Sequence, residues 1–87
     1  MAGLTVSVVS ADREVWSGDT TMVVARTTEG QIGILAGHEP ILAVLAAGEV
    51  RITPASGAVV TANAEDGFLS VQNDTVTIVA GQASLVS

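Results

Sequence analysis

The fold class is decided by the segment Leu4-Thr5-Val6-Ser7-Val8, near the beginning of this 87-residue chain. Apolar side chains alternate here with hydroxyl side chains. A period of two is typical of a β-strand, because successive side chains of a strand point to opposite faces of its sheet. The segment therefore predicts a strand with one buried face and one face in water.

The same alternation recurs outward from this segment along the chain. It is found at Met22 and Val24, Ile32 and Ile34, Val50 and Ile52, Leu69 and Val71, and Val76 and Ile78. Turn signals separate these segments, at Ser17-Gly18-Asp19, Glu29-Gly30, Gly37 to Pro40, Gly48, Pro54 to Gly57, Asp66-Gly67, Asn73-Asp74 and Gly81-Gln82. We predict an all-β fold, a flattened β-sandwich or barrel of about ten short strands in two sheets with little or no helix. The length suits one domain over residues 1–87.

One segment, from Pro40 to Gly48, leaves helix and strand equally open. Pro40 suits the first position of a helix, Gly48 suits its C-terminal cap, and the apolar residues between them have helical spacing. The residue pattern alone does not choose between the two.

The composition excludes several classes of function. The chain has nine acidic residues, three arginines and no lysine, which gives a net charge of −6. Nucleic-acid binding requires clustered cations, so a protein surface is the expected partner. The absence of cysteine excludes redox chemistry and thiolate metal sites. No apolar stretch approaches the roughly 20 residues that cross a bilayer, so we expect no direct membrane insertion.

No catalytic, metal or cofactor site is predicted. A phosphate-binding loop of the Walker type needs a lysine, which this chain does not have. Hydrolase chemistry would depend on the one histidine, His38, and Ser56 lacks the first glycine of a nucleophile elbow. His38 with carboxylates such as Glu39 makes a poor ligand set for zinc or iron.

Three features have both a structural and a functional interpretation. Trp16 seals the core or anchors a partner, and core sealing is favoured because the chain has only one other aromatic residue, Phe68. Asn73-Asp74-Thr75 matches a glycosylation acceptor, but a tight hairpin turn is the simpler interpretation. His38 either caps a backbone group of its own loop or contacts a partner, and composition does not rank these alternatives.

An ordered series of motifs covers the chain from about Leu4 to Ala83. They are VVSA at 8–11, WSG at 16–18, TEGQIGIL at 28–35, GHEP at 37–40, GEVRI at 48–52, GFLSV at 67–71 and VTIVA at 76–80. In that order the series resembles the bacterial epsilon subunit of F-type ATP synthases, and its centre, Glu-Gly-x-Ile-Gly-Ile-Leu-x-Gly-His-x-Pro, is highly specific. The resemblance implies the N-terminal β-sandwich domain of that subunit. It also favours a strand between Pro40 and Leu45.

The function that the resemblance implies is that of a non-catalytic part of the rotor. In the family this domain packs one side against the gamma subunit and rests its lower loops on the membrane c ring, so that proton flow is coupled to ATP synthesis. Carried over by position, the expected gamma-facing residues are Ser10, His38, Ile41 and Leu42. The expected c-ring-facing loop is the turn Glu29-Gly30-Gln31.

The chain departs from the family pattern at two points. Position 31 is often acidic in relatives and is Gln31 here, which removes a possible ion pair with a basic c-ring loop. Family members commonly continue into a C-terminal helical hairpin that inhibits ATP hydrolysis and in some relatives binds ATP, and this sequence stops at Ser87. We therefore expect the helical hairpin to be absent, and the chain to link gamma to the c ring without a helical brake or a nucleotide site.

The start of the chain carries no targeting segment, which favours a peripheral protein on the cytoplasmic face of the bacterial cell membrane. The alternative to a rotor subunit is a free-standing protein-interaction adaptor, which would grip a peptide or a sugar through an edge strand or an end loop. It would need a concave aromatic-lined pocket, for which two aromatic residues are too few.

Overall fold

The structure is a computed structural model that describes residues 3–10, 13–55 and 57–86. Within these ranges the chain forms seven β-strands and no helix. The strands are β1 (Leu4–Ser10), β2 (Arg13–Thr27), β3 (Gly30–Leu35), β4 (Ile41–Val44), β5 (Gly48–Pro54), β6 (Val60–Gln72) and β7 (Thr75–Leu85). The predicted all-β fold class is confirmed.

Three of the strands, β2, β6 and β7, are long enough to belong to two sheets. The first half of β2 pairs with β1, and its second half pairs with β3 and β5. The first part of β6 pairs with β5 and its last part with β4, while β7 follows β6 along most of its length and pairs with β1 near its own beginning.

The resulting architecture is a sandwich of two sheets. Sheet I has the order β4-β6-β7-β1-β2, and sheet II has the order β3-β2-β5-β6-β7. Counting the three shared strands in both sheets gives ten strand segments, five in each sheet. This count accounts for the ten short strands expected from the sequence, because each long strand contributes one segment to each sheet.

Two of the long strands are irregular at or next to turns predicted from the sequence. In β2, the register against β5 shifts between Thr20 and Met22. In β6, the bend lies at Asp66, whose φ is 60°. Next to it, Gly67 packs so closely on β7 that an added Cβ would overlap the carbonyl oxygen of Val79. Only glycine fits at that position.

The core between the sheets is aliphatic, as the composition requires. Its fully buried large side chains are Leu4, Val6, Val8, Val23, Ile34, Val50, Ile52, Leu69, Val71, Val76 and Ile78. The alternation predicted from the opening segment is therefore confirmed, since its three apolar residues all point inward. Trp16 is half-buried against this core, and its ring comes within 3.0 Å of the position a Cβ would take on Gly18. This packing supports the core-sealing interpretation of Trp16.

Two local expectations are also resolved by the structure. The ambiguous segment after Pro40 is a strand, β4, rather than a helix. Asn73 and Asp74 have φ values of 52° and 58° and connect the paired residues Gln72 and Thr75. Positive φ at both central residues defines a type I′ hairpin turn, so the tight turn predicted here is confirmed.

Candidate protein-interaction surface

One outer surface of the sandwich has no charged side chain across four adjacent strands, within the described ranges. Residues paired directly across neighbouring strands share a face, so the strand register identifies rows of outward side chains. On sheet I these rows are Val44-Phe68-Val79-Val9, then Leu42-Ser70-Thr77-Ser7, then Gln72-Thr75-Thr5. We call this surface the uncharged face.

Several large apolar side chains of the uncharged face are open to water. The exposed fractions are 73% for Leu42, 59% for Val44 and 42% for Phe68. Among the described residues, charge returns at the rim, where Glu14 and Asp19 of β2 lie opposite Val9 and Thr5. A contiguous apolar surface with a polar rim is typical of a protein-interaction site.

The opposite outer surface, formed by β3, β5 and the second half of β2, is different in charge. Its outward residues include Arg26, Glu49 and Arg51, and we call it the charged face. The Nε atom of Arg51 lies 3.9 Å from Oε1 of Glu49, and both side chains are largely exposed. A hollow of about 670 Å³ on this face has apolar walls at Met22 and Val59 and no aromatic lining.

The turn Glu29-Gly30-Gln31, expected to face the c ring, is an exposed part of the β2–β3 hairpin. The hydroxyl of Thr27 donates to the Gly30 carbonyl at 2.7 Å and accepts from the Glu29 N–H at 3.2 Å. The N–H of Thr28 donates to the carbonyl of Val44 at 3.0 Å, which ties the turn to β4. These bonds fix the backbone of a turn whose own side chains stay in solvent.

His38 lies in the loop between β3 and β4. Its N–H donates to the Leu35 carbonyl at 3.2 Å, and Gly37 has a φ of 85°, so residues 35–38 form a type II turn. Nδ1 of His38 lies 2.7 Å from the carbonyl oxygen of Glu39. Because a carbonyl only accepts, Nδ1 carries the proton, and Nε2 is not used by this bond. This is the loop-capping arrangement.

The other expected gamma-facing residues differ in exposure. Leu42 projects from the uncharged face, and its neighbour Ile41 is half-buried opposite Val71. Ser10 is 9% exposed and ends β1.

The structure brings some of the expected contact residues together and separates others. His38, Ile41 and Leu42 lie in one continuous segment. Ser10 lies at the other end of the sandwich. His38 is next to the turn that contacts Thr5, and Ser10 is five positions, roughly 17 Å, further along β1 than Thr5. The turn at Glu29 lies at the Ser10 end, six residues of β3 away from the His38 loop.

Comparison with protein families decides the relationship of this chain to known proteins. The family described as the ATP synthase delta/epsilon chain β-sandwich domain matches residues 3–86. The ATP synthase epsilon chain of Micrococcus luteus is 52% identical over 85 residues, covering 98% of this chain and 93% of that one. The epsilon chain of Rhodococcus jostii is 51% identical, covering 98% of this chain and 70% of that one. The chain belongs to the ATP synthase epsilon chain family.

Solved structures agree with this family membership. The backbone superposes with a TM-score of 0.90 on a chain in the structure of Euglena gracilis mitochondrial ATP synthase that contains OSCP, F1 and the c ring. That chain is 25% identical, and the match covers 98% of this chain but 54% of that one. A chain of the Tetrahymena thermophila central stalk and c-ring structure has the same fold, with a TM-score of 0.78 at 19% identity and 64% coverage of that chain. This epsilon chain thus spans between half and two thirds of the length of those two chains.

Family membership makes this epsilon chain a subunit of a membrane-associated complex. In the part of the chain that the structure describes, no helix is long and apolar enough to cross a bilayer. The same residues contain no cluster of three His, Asp or Glu side chains with the spacing of a metal site.

Sequence reasoning missed most of the uncharged face of this epsilon chain. Pairs of consecutive apolar residues occur in β1, β6 and β7, at Val8-Val9, Phe68-Leu69 and Ile78-Val79, and at the end of β4, at Val44-Leu45. Successive side chains of a strand point to opposite faces, so one apolar residue of each pair must point outward. The register aligns these outward residues in one row across the sheet. The consecutive pairs were therefore a signal in the sequence, but only strand order could show that they meet.

Proposed function

We propose that this chain is a non-catalytic central-stalk subunit of a proton-translocating F-type ATP synthase. It links the gamma subunit to the c ring and so couples proton flow to ATP synthesis. It needs no cofactor for this role, and it resides peripherally on the cytoplasmic face of the bacterial cell membrane without inserting into it. A free-standing adaptor is not favoured, given the family to which the chain belongs.

The observation that supports the gamma contact is the uncharged face. A chain with a net charge of −6 has no charged side chain in the three outward rows that define the uncharged face, and three apolar side chains there are open to water. Burial of Leu42 and its neighbours against a partner would remove this exposed apolar area from solvent. A standard interface takes about 800 Å² from each partner, a sixth of the 4988 Å² surface of this domain.

Within this proposal, the residues expected to face gamma have different roles. Leu42 contacts gamma directly, and Ile41 supports it from the core side. His38 presents Nε2 to gamma while Nδ1 holds the loop. Ser10 marks the far edge of the contact, at the opposite end of β1.

The proposed c-ring contact is the turn Glu29-Gly30-Gln31. Its side chains are exposed while Thr27 and Val44 fix its backbone, so the turn can meet a polar loop without losing much conformational entropy. Glu29 supplies the only charge of the turn, because position 31 is a glutamine.

The gamma contact is tested by binding to purified gamma subunit of the same organism, measured by calorimetry or sedimentation. We expect saturable one-to-one binding. The substitution Leu42→Glu should weaken it at least about tenfold, because a carboxylate would be buried without a partner. Val59→Glu is the matched control, since Val59 is also exposed, at 51%, but lines the hollow on the charged face.

Each outcome of this experiment is decisive. Absence of binding by the folded wild-type chain would overturn the gamma proposal. Equal losses in both variants would keep gamma as partner but overturn the assignment of the uncharged face.

The c-ring contact is tested in the assembled synthase by cross-linking. The chain has no cysteine, so a photoreactive group can be attached to one introduced residue. Gln31→Cys should give an adduct with the c subunit. Ala55→Cys, exposed at the other end of β5, should not. An adduct from both positions, or from neither, would contradict the proposed orientation.

We also propose that residues 1–87 act without a helical brake and without a nucleotide site. Calorimetric titration with ATP should give no saturable heat. Binding in the micromolar range would contradict this part of the proposal.

A further inference from the structure

The turn between β6 and β7 contacts the loop that contains His38. The carboxylate of Asp74 accepts a hydrogen bond from the N–H of Gly37, with Oδ1 2.7 Å from the nitrogen. The carbonyl of Asp74 accepts a second one from the N–H of Thr5 at 2.9 Å. One residue therefore connects the start of β1, the β6–β7 turn and the loop between β3 and β4.

The hydrogen bond to Gly37 selects one form of the type II turn at residues 35–38. Type I and type II turns differ by a flip of the peptide between their two central residues, here Ala36 and Gly37. The N–H of Gly37 belongs to that peptide. A carboxylate bound to it holds the peptide in the orientation that the φ of 85° at Gly37 requires.

The direction of this peptide determines where the next residues lie. His38 follows Gly37 immediately, and β4 begins three residues after His38. Among the hydrogen bonds of the described residues, the bond from Gly37 to Asp74 is the one that connects this loop to another turn. The loop's other bonds are local: the His38 N–H donates to Leu35, and Nδ1 of His38 donates to Glu39. The position of His38 therefore depends on Asp74.

We propose that Asp74 is the positioning residue of the gamma-binding loop, holding the turn at residues 35–38 so that His38 and the start of β4 are preorganised for the partner. The inference rests on the proposed function. Asp74 need not touch gamma itself. Its contribution to affinity comes from the conformational freedom that the loop has already lost before binding.

The chain offers a substitution that separates this role from the stability of the hairpin. Asp74 occupies the second central position of a type I′ turn, where glycine is the preferred residue. Asp74→Gly should therefore leave the hairpin intact while it removes the acceptor for Gly37. Asp74→Asn keeps an oxygen at the same place and also tolerates a positive φ, so it serves as the conservative rescue.

Two measurements are made on wild type, Asp74→Gly and Asp74→Asn. The first is amide hydrogen exchange at Gly37 by NMR, which we expect to be roughly tenfold faster in Asp74→Gly only. The second is affinity for purified gamma, which should fall roughly three- to tenfold in Asp74→Gly, as for loss of one exposed hydrogen bond, and recover in Asp74→Asn. Thermal unfolding serves as the control for the hairpin.

The outcomes distinguish this inference from the proposed function. An unchanged rate of amide exchange at Gly37 in Asp74→Gly would overturn the inference, whatever the affinity of that variant for gamma. Faster exchange with unchanged gamma affinity would also overturn it, and the gamma contact would stand. If the wild-type chain does not bind gamma, the proposed function fails, and with it the assignment of Asp74 to a gamma-binding loop.

Discussion

The two sheets of the sandwich share strands β2, β6 and β7, but their outer faces differ in side-chain chemistry. On the charged face, β5 reads Glu49-Val50-Arg51-Ile52, with charged residues at the outward positions. On the uncharged face, β6 reads Phe68-Leu69-Ser70-Val71, with an aromatic and a hydroxyl residue outward. The inward residues of both segments are buried aliphatic side chains. The comparison shows that outward positions, which the fold leaves nearly free, determine what each face can bind.

The largest expected effect concerns Gly67, at the point where β6 passes from one sheet into the other. Gly67→Ala would place a Cβ 2.6 Å from Cα of Ala80 and on the Val79 carbonyl oxygen, so the backbone of β7 would have to move. We expect the free energy of unfolding to fall by about 3 kcal/mol or more. Denaturant titration followed by circular dichroism measures this loss.

The control for this prediction is Gly33→Ala. A Cβ at Gly33 would have nothing within 4 Å, and Gly33 has no positive φ. We expect a change within about 0.5 kcal/mol. A similar loss in both variants would mean that strand propensity, rather than the tight packing of β6 on β7, dominates at Gly67.

A second prediction places the same charge on each face. Phe68 and Met22 are similarly exposed, at 42% and 37%, one on the uncharged and one on the charged face. Phe68→Glu should weaken gamma binding at least about tenfold, because it introduces a buried, unpaired carboxylate, whereas Met22→Glu should change it by less than about twofold. If Met22→Glu has the larger effect, the charged face is the gamma-binding side.

Salt dependence sharpens the comparison without any substitution. Exposed charges interact over about 10 Å at 0.1 M salt and about 3 Å at 1 M. An interface formed by the uncharged face should therefore lose less than about threefold in gamma affinity between 0.1 M and 1 M sodium chloride. A steep loss of affinity in sedimentation at high salt would point to Arg26 and Arg51 of the charged face instead.

The smallest expected effect is at the ion pair of the charged face. Arg51→Gln breaks the 3.9 Å contact with Glu49, but both groups are largely exposed. Exposed pairs contribute little, so the free energy of unfolding should change by no more than about 0.5 kcal/mol. Thermal unfolding of the variant checks this, and a loss above 1 kcal/mol would show that the pair contributes more to stability than its exposure indicates.

Much of the fold followed from the sequence, because alternation depends only on neighbouring residues. The segment at Leu4, the hairpin turn at Asn73 and the all-β class were all predicted this way. Ser17-Gly18-Asp19, Asp66-Gly67 and Gly81-Gln82 were predicted as turns, but they lie inside continuous strands. Local residues permit a bend or a turn equally, and the partner strand on each side decides which one forms.

The candidate surface was less accessible to sequence reasoning. The resemblance identified Leu42, which the structure places on the uncharged face. It did not identify Phe68 or Val79, because they are distant in sequence from Leu42 and meet it only through strand order. The separation of Ser10 from His38 has the same cause, since the direction of β1 relative to the β3–β4 loop is set by long-range pairing.

The three shared strands also determine how the domain responds to mechanical load. In a sandwich whose sheets are joined only by loops, a sideways force on one layer is resisted by side chains that can slide past one another. Here β2, β6 and β7 pass from one layer into the other without interruption. A force on either layer is therefore transmitted through covalent bonds of the backbone, so the two layers resist sliding and move together as one stiff body.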